Sequence, residues 1–308
     1  MRALLRKTFS RPNFHPVFVG SVEGYFLRGA LALLAVSALW KPLNLHEQPL
    51  PRGIAHFVDL TFLGDPGVFE VFRIVAAVAA LLYALRLFLP LSLPLLAVCH
   101  ITYQTLYNSQ GPTHHDHQMV SLALLAQACV VLFFPLYRLV RKRPFGPLAR
   151  TNLDGILLYA AQSAIAGVYV ASALTKLSKS DGLWVFKSHL FAKSLIKTDR
   201  QRLYDTLDYG AYGGAVPAAE WIAGHPHLAR LMFSGGFFAE FFAFMALCNR
   251  RWALAMGVAL IVMHQMVERM MNLQFYENQW MCAIFLVAPA YWILVGLRRL
   301  GGWPGGIR

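Results

Sequence analysis

The chain has 308 residues, of which 57% are hydrophobic and only 14% are charged, whereas an ordinary soluble domain has about 25% charged residues. Because each bilayer crossing takes about 20 apolar residues, this length leaves room for several crossings and excludes a sizeable soluble domain. The formal net charge of +13 does not indicate nucleic-acid binding, since the basic residues fall mostly in short gaps between apolar runs and no recognition motif accompanies them.

The apolar runs predict an all-α, polytopic membrane bundle of about eight spans. In chain order the predicted spans lie near residues 17–40, 68–89, 91–107, 118–137, 153–176, 231–248, 252–271 and 279–297. The basic N-terminal tail resembles the start of a signal peptide, but Pro12 and His15 precede the first long apolar run, so we expect that run to be retained. Only Pro90 separates the second span from the third, and the two form either a tight hairpin or one kinked element.

The loop charges predict that both termini are cytoplasmic. Lys and Arg gather in the N-terminal tail, after the fourth span, after the sixth span and in the C-terminal tail. The alternate short loops, 108–117 and 272–278, contain neither residue type, as the positive-inside rule requires of outer loops. We therefore interpret residues 1–308 as one integral membrane domain.

The long connection 177–230 lies on the outer face in this topology. Between Trp184 and Lys197 it alternates apolar residues with Lys187, Lys193 and Lys197, roughly as in a helix that lies in the membrane interface. Glycines and a proline between positions 210 and 217 then end this pattern. The helix either rests on the membrane surface or forms a lid over a site.

Ionisable residues gather near the outer ends of the predicted spans. Each such group is costly inside a bilayer, by about 2.5 to 3.5 kcal/mol on insertion scales, so it needs a partner, water or a function. The outer set comprises His100, His114, His115, Asp116, His117, Lys176, His264, Glu268 and Arg269. Arg28 and Glu240 lie nearer the middle of their spans. All four cysteines lie in or beside apolar runs without close pairing, which predicts no disulfide and no thiolate chemistry.

Two of these patterns suit a proton relay or a metal site. Residues 113–118 contain three histidines and an aspartate, which are either relay or ligand groups or solvated side chains beside a helix N-terminus. His264 and Glu268 are four residues apart on one helix face. They are either two metal ligands, or a histidine oriented by a carboxylate, or two separate contacts in which Glu268 pairs with Arg269 and His264 bonds to backbone.

Glu240 and Lys176 each allow a structural and a functional interpretation. Glu240 lies among phenylalanines without a local partner, so it pairs across helices, with Arg28 or Arg73, or is protonated. Lys176 ends the fifth span. There it either extends to the interface and complements the helix dipole, or is buried enough to act as a neutral amine base.

Three stretches also carry a family resemblance. HHDHQMVSLALLAQ, YVASALTKLSKSDGLWV and the seventh span with His264, continuing to NLQF, resemble in order and approximate spacing three blocks of the vitamin K-dependent γ-carboxylase superfamily. That superfamily belongs to the broader horizontally transferred transmembrane domain (HTTM) family. The resemblance implies that Lys176 takes the place of the catalytic lysine, which deprotonates a reduced quinone so that it reacts with oxygen. His117 resembles the assisting histidine.

The resemblance has two departures. Thr175 stands where the family has the first of two adjacent lysines, and the chain stops after the last span, so we expect the large luminal domain to be lacking. The expected second substrate is therefore a peptide or a small molecule rather than a glutamate-rich protein, with O2 and CO2 as co-substrates. By analogy we expect a bacterial inner-membrane location with the site facing the periplasm.

These inferences give three functional hypotheses. The leading one is a carboxylase-like enzyme in which Lys176 and His117 are catalytic and a reduced, menaquinol-like quinone is the cofactor. Its pocket residues are His114, Asp116, His264, Glu268 and Glu240. The second is a metal-dependent membrane oxidoreductase with ligands drawn from His114, His115, His117, His264 and Glu268. The third is a non-enzymatic lipid- or quinone-binding or transport protein.

Overall fold

The structure is a computed structural model that describes residues 14, 16–40, 48–110, 117–140, 151–207, 209–210, 213–271 and 273–300. All regular secondary structure in these residues is helical. In chain order the α-helices are α1 (Ser21–Ala38), α2 (Pro66–Ala84), α3 (Leu89–Asn108), α4 (Gln118–Val140), α5 (Leu153–Lys179), α6 (Trp184–Lys187), α7 (Phe191–Thr206), α8 (Val216–Gly224), α9 (Pro226–Phe241), α10 (Arg250–Met271), α11 (Tyr276–Met281) and α12 (Pro289–Arg299).

Seven helical stretches in the described part of the chain are long and apolar enough to cross a membrane. They are α1 to α5, α10 and the stretch from α11 to α12, and they confirm the prediction of a helical chain with several candidate spans. The predicted sixth span differs, because α9 has only 16 residues and a short 3-10 segment, Ala243–Leu247, follows it. The count of eight spans and the cytoplasmic termini stay predictions.

A tight turn joins α2 to α3, so the hairpin is the correct one of the two alternatives. Arg86 and Phe88 in this turn have positive φ angles of 62° and 47°, and such left-handed residues reverse the chain direction within a few residues. Pro90 occupies the first turn of α3, where its missing N–H removes no intrahelical hydrogen bond. The proline therefore starts the third helix rather than kinking a longer one.

The bundle buries a core of aliphatic and small side chains and exposes apolar ones on its outer surface. Leu31, Leu93, Leu124 and Phe285 belong to the largest buried cluster, which joins α1, α3, α4 and the last span. The outward side chains of α2, such as Leu81, are largely exposed. An exposed apolar helix face is unfavourable in water and suits contact with lipid. The seven helices accordingly indicate an integral membrane protein.

The last candidate span is broken in the middle. After α11 the chain forms a π-helical segment, Cys282–Val287, turns at Ala288 with a φ angle of 51°, and starts α12. Gln162 on α5 donates a hydrogen bond of 2.8 Å to the carbonyl of Phe285, which satisfies a backbone group inside the bundle. Gly257 on α10 packs against this segment, since an added Cβ would lie 2.8 Å from the Cβ of Leu286.

The long connection forms a small helical layer at one end of the bundle. Ala192 and Leu195 of α7 pack with Ala219 and Ile222 of α8, and Met270 of α10 lies against this cluster. The lysines of α6 and α7 are exposed. The predicted amphipathic pattern thus corresponds to α6 and α7, while its role as a surface helix or as a lid stays a prediction.

Buried ion pairs lie at the end of the bundle at which α1, α5 and α10 begin. Asp154 pairs with Arg28 and also lies 3.5 Å from Arg86, and the Arg28 and Asp154 side chains are each only 4% exposed. Glu23 lies 2.6 Å from Arg250, close enough for an ion pair although the angle departs from that of a hydrogen bond. We call this region, with Glu23, Arg28, Asp154 and Arg250, the ion-pair end.

Candidate functional site

The opposite end of the bundle collects the described histidines of the predicted site and Lys176. Asp154 and Lys176 are 22 positions apart on the same helix, α5, which is about 33 Å at 1.5 Å per residue. We call this region, with His100, His117, Lys176 and His264, the histidine end.

Lys176 forms an ion pair with Glu240 of α9. The Glu240 side chain is 8% exposed and the Lys176 side chain 31% exposed. Ser172, one turn before Lys176, donates a weak hydrogen bond of 3.5 Å to the same carboxylate oxygen. The ammonium group is therefore held against a buried carboxylate.

An aromatic surface adjoins this ion pair. The Nζ atom of Lys176 lies 5.4 Å from the centre of the Trp184 ring, within the range of a cation–π contact. Trp184 stacks on Phe237 at 5.4 Å, and the next residue, Phe238, is 48% exposed. The amine thus meets both a polar and an apolar surface.

The predicted partners of Glu240 are wrong. Arg28 pairs with Asp154 at the ion-pair end, and Arg73 pairs with Glu70 one turn away on α2. Because Lys176 and Glu240 are 64 positions apart in the chain, the sequence alone gave no spacing from which to pair them.

Tyr169 joins His264 to Cys282. The Tyr169 hydroxyl oxygen lies 2.8 Å from Nε2 of His264 and 3.3 Å from Sγ of Cys282. His264 therefore bonds to a side chain on α5, not to backbone as one of the sequence alternatives had it. Tyr169 precedes Lys176 by seven residues, which places both on one side of α5.

Tyr169 and Cys282 were missed in the sequence. The seven-residue spacing from Lys176 was a signal for Tyr169. Cys282 offered none, because its position depends on the π-helical segment that it begins.

Glu268 lies on the same helix as His264 but has different partners. The Nε2 atom of Gln279 donates a hydrogen bond of 3.4 Å to Glu268, and Gln265 donates one to Gln279. Glu268 is therefore tied to the start of the last span. The described residues contain no group of three or more His, Cys, Asp or Glu side chains that could hold a metal ion.

His117 is buried at the start of α4, with 1% exposure. Its Nε2 atom lies 3.3 Å from a carboxylate oxygen of Glu277 on α11, and its ring centre lies 6.3 Å from that of His100. The Nδ1 atom of His100 lies 2.9 Å from the hydroxyl of Ser121. Of the predicted histidine cluster, His114, His115 and Asp116 lie outside the described residues.

The two parts of the histidine end are linked through the last span. Glu277, which contacts His117, and Cys282, which contacts Tyr169, are five residues apart, or about 8 Å along a helix axis. The structure therefore places the Lys176 side and the His117 side on one structural unit at one end of the bundle.

A small pocket of about 110 Å³ lies elsewhere, beside the ion-pair end. Val22, Glu23, Leu294 and Arg298 are among its lining residues. Its walls are mostly apolar and it contains none of the predicted site residues, so it offers no chemistry comparable to that around Lys176.

Comparison of the chain with protein-family models, with curated proteins and with solved structures gives no match. The family resemblance of the three sequence blocks therefore stays a prediction, and the arrangement of the residues carries the functional argument.

Proposed function

We propose that the protein is an integral membrane enzyme that acts on a reduced, lipid-soluble quinone. As the resemblance to the γ-carboxylase superfamily implies, oxygenation of the quinone would be coupled to proton abstraction from, or carboxylation of, a second substrate. The observation that carries this proposal is the Lys176–Glu240 pair beside the Trp184 ring. The periplasmic position of the site and the bacterial inner membrane belong to the same proposal.

Glu240 gives Lys176 a way to become a base. In a low-dielectric site a charged pair and a neutral pair are closer in free energy than in water, because burial penalises both charges. When the extra proton of Lys176 moves to Glu240, the lysine is left as a neutral amine that accepts a proton from a hydroxyl group. Ser172 holds the carboxylate on the side that faces Lys176.

The aromatic surface fits a flat, apolar ligand. Trp184 and Phe237 form a stacked pair next to the amine, and ring systems of this kind bind other aromatic rings by offset stacking. Phe238 extends the surface to the outside of the bundle, so a ligand dissolved in the bilayer reaches the amine without crossing water. A bound reduced quinone supplies two hydroxyl protons and two electrons, and its reaction with O2 gives the quinone epoxide and water.

The direct test is turnover of menaquinol by the full chain in lipid nanodiscs. We expect formation of the menaquinone epoxide, measured by mass spectrometry, and a decrease of about 100-fold or more for Lys176→Met, as removal of a general base produces. The matched control is Lys179→Met, since Lys179 is an exposed lysine on the same helix, and its turnover should match the wild type.

Two results would contradict the proposal. One is wild-type turnover in Lys176→Met, and the other is no epoxide from the wild-type protein. Because Lys176→Met leaves the Glu240 carboxylate without its partner, Lys176→Met/Glu240→Gln provides the same test in a site with no unpaired charge. Specific menaquinol binding without turnover would instead favour the quinone-binding or transport protein.

A further inference from the structure

His264 has one nitrogen engaged and one free. Nε2 is bound to Tyr169 at 2.8 Å, whereas Nδ1 is buried without a hydrogen-bond partner and the residue is only 6% exposed. Leaving such an atom unpaired is costly, by about 1 to 3 kcal/mol for a buried donor or acceptor. A ligand oxygen at Nδ1 would remove this cost.

The contacts of Tyr169 allow two arrangements of the hydrogens. In the first, the Cys282 thiol donates to the tyrosine oxygen, the tyrosine hydroxyl donates to Nε2 of His264, and the imidazole hydrogen is on Nδ1. In the second, Nε2 carries the hydrogen and donates to the tyrosine, whose hydroxyl donates to the sulfur. Both arrangements contain the same three hydrogens and no net charge, because the neutral imidazole has two tautomers.

We propose that Cys282, Tyr169 and His264 form a reversible hydrogen-bond chain through which Nδ1 of His264 binds either a carbonyl or a hydroxyl oxygen of the ligand. The first arrangement presents Nδ1–H as a donor to a carbonyl. The second presents a bare Nδ1 as an acceptor from a hydroxyl. This inference rests on the proposed function, since the quinol presents hydroxyl oxygens, the quinone epoxide presents carbonyl oxygens, and the site has to hold both.

The surroundings of His264 agree with an aromatic ligand that carries oxygen. The Phe275 ring lies 5.2 Å from the His264 ring, so an aromatic side chain already packs beside this imidazole. The π-helical segment supports the chain, because Cys282 is its first residue.

The test compares the affinities of two probes for the detergent-solubilised full chain, measured by quenching of tryptophan fluorescence. Menadione presents carbonyl oxygens and 2-methyl-1-naphthol presents a hydroxyl. Tyr169→Phe removes the partner of Nε2. We expect the imidazole hydrogen then to stay on Nδ1, because a buried N–H without a partner is rarer in proteins than an acceptor without one. The ratio of affinities should then shift by about tenfold in favour of menadione, as expected for one mismatched hydrogen bond.

Cys282 provides a second pair of variants. Cys282→Ala removes the acceptor that the second arrangement needs and should shift the ratio in the same direction by about threefold, whereas Cys282→Ser retains a donor and an acceptor and should keep the wild-type ratio. Tyr159→Phe is the matched control, because Tyr159 lies ten residues from Tyr169 on the same helix, and it should leave the ratio unchanged.

The ratio is independent of how much of each preparation is folded, so a purely structural role would not change it. A wild-type ratio in both Tyr169→Phe and Cys282→Ala, with binding intact, would overturn the hydrogen-bond chain and leave the role of Lys176 standing. No binding of either probe to the wild-type protein would overturn the chain and the proposed function together.

Discussion

The ion-pair end and the histidine end differ in the partners of their buried polar side chains. At the ion-pair end, buried Arg28 and Glu23 each have a side chain of opposite charge close by. At the histidine end, Nε2 of His100, both amide atoms of Gln104 and Nδ1 of His264 are buried without a hydrogen-bond partner. Glu23 Oε1 and both Nη atoms of Arg250 also lack a hydrogen bond, but there each charge lies beside an opposite one. Buried polar groups in proteins are nearly always paired, and the histidine end holds neutral polar atoms with neither a hydrogen bond nor an opposite charge.

This difference separates polar residues that affect the stability of the fold from polar residues that bind a ligand or take part in turnover. Breaking a buried pair of charges between helices is strongly destabilising, because it leaves the remaining charge buried without a partner. Unpaired groups lower stability, and they persist at positions where a substrate or ligand uses them. Substitutions at the ion-pair end should therefore act on stability, and substitutions at the histidine end on binding and turnover.

The largest loss of stability is expected from Asp154→Asn. This substitution leaves the Arg28 charge buried with no carboxylate, and breaking a buried pair in this way costs about 3 to 5 kcal/mol. Unfolding followed by circular dichroism in mixed detergent micelles measures the change. The control is Glu70→Gln, because the Glu70–Arg73 pair is partly exposed, with 54% of the Glu70 side chain accessible, and such pairs contribute little. Equal effects of the two substitutions would contradict the structural role of the ion-pair end.

The sequence predicted the features that depend on neighbouring residues. Apolar length is a local property, so helices at the positions of α1 to α5 and α10 were predictable within a few residues. Lys176 was a candidate because of the resemblance of its segment to the γ-carboxylase block, since a lysine at the end of an apolar run is ordinary by itself. The hairpin at Pro90 remained open, because the left-handed residues of the turn, Arg86 and Phe88, are not types that mark such a conformation.

The sequence did not predict which helices are joined by contacts between their polar side chains. Arg28 and Asp154 are 126 positions apart, and their pairing depends on the packing of α1 against α5. The π-helical segment was equally hidden, since its pattern of apolar residues is also that of an α-helix. Contacts between distant residues follow from the tertiary structure, so the partners of Glu240 and the role of Tyr169 required it.

The second largest loss is expected from Gly257→Ala. Its new Cβ would lie 2.8 Å from the Cβ of Leu286 and 3.0 Å from the backbone nitrogen of Val287, so α10 or the π-helical segment has to move. Overpacking of this kind costs about 1 to 3 kcal/mol. Gly167→Ala on α5 is the control, since nothing lies within 4 Å of its Cβ position. Equal stability of the two variants would show that the segment yields without cost.

Glu240→Gln should separate stability from turnover. The Lys176 side chain is 31% exposed, so the loss of stability should be about 1 kcal/mol or less. Menaquinol turnover should nevertheless fall by about 100-fold, because the lysine loses the group that accepts its proton. Asp154→Asn should behave in the opposite way, with a large loss of stability and normal turnover per folded molecule. A large loss of stability in Glu240→Gln together with normal turnover would make this pair structural.

The smallest change, and of opposite sign, is expected from Gln104→Leu. Gln104 is 4% exposed and neither amide atom has a partner, so an apolar side chain of similar size should leave the stability unchanged or raise it by up to about 1 kcal/mol. Gln162→Leu is the matched control, because Gln162 is equally buried and donates to the Phe285 carbonyl. That control should lose about 1 kcal/mol under the same conditions.

The same detergent unfolding experiment compares the two glutamines directly. If Gln104→Leu destabilises the protein as much as Gln162→Leu does, the Gln104 amide is satisfied in solution by a bound molecule such as water. Gln104 would then be paired like the charges of the ion-pair end, and it would no longer distinguish a functional region from a structural one. A stabilised Gln104→Leu variant keeps that distinction, because it shows that the native Gln104 lowers the stability of the protein.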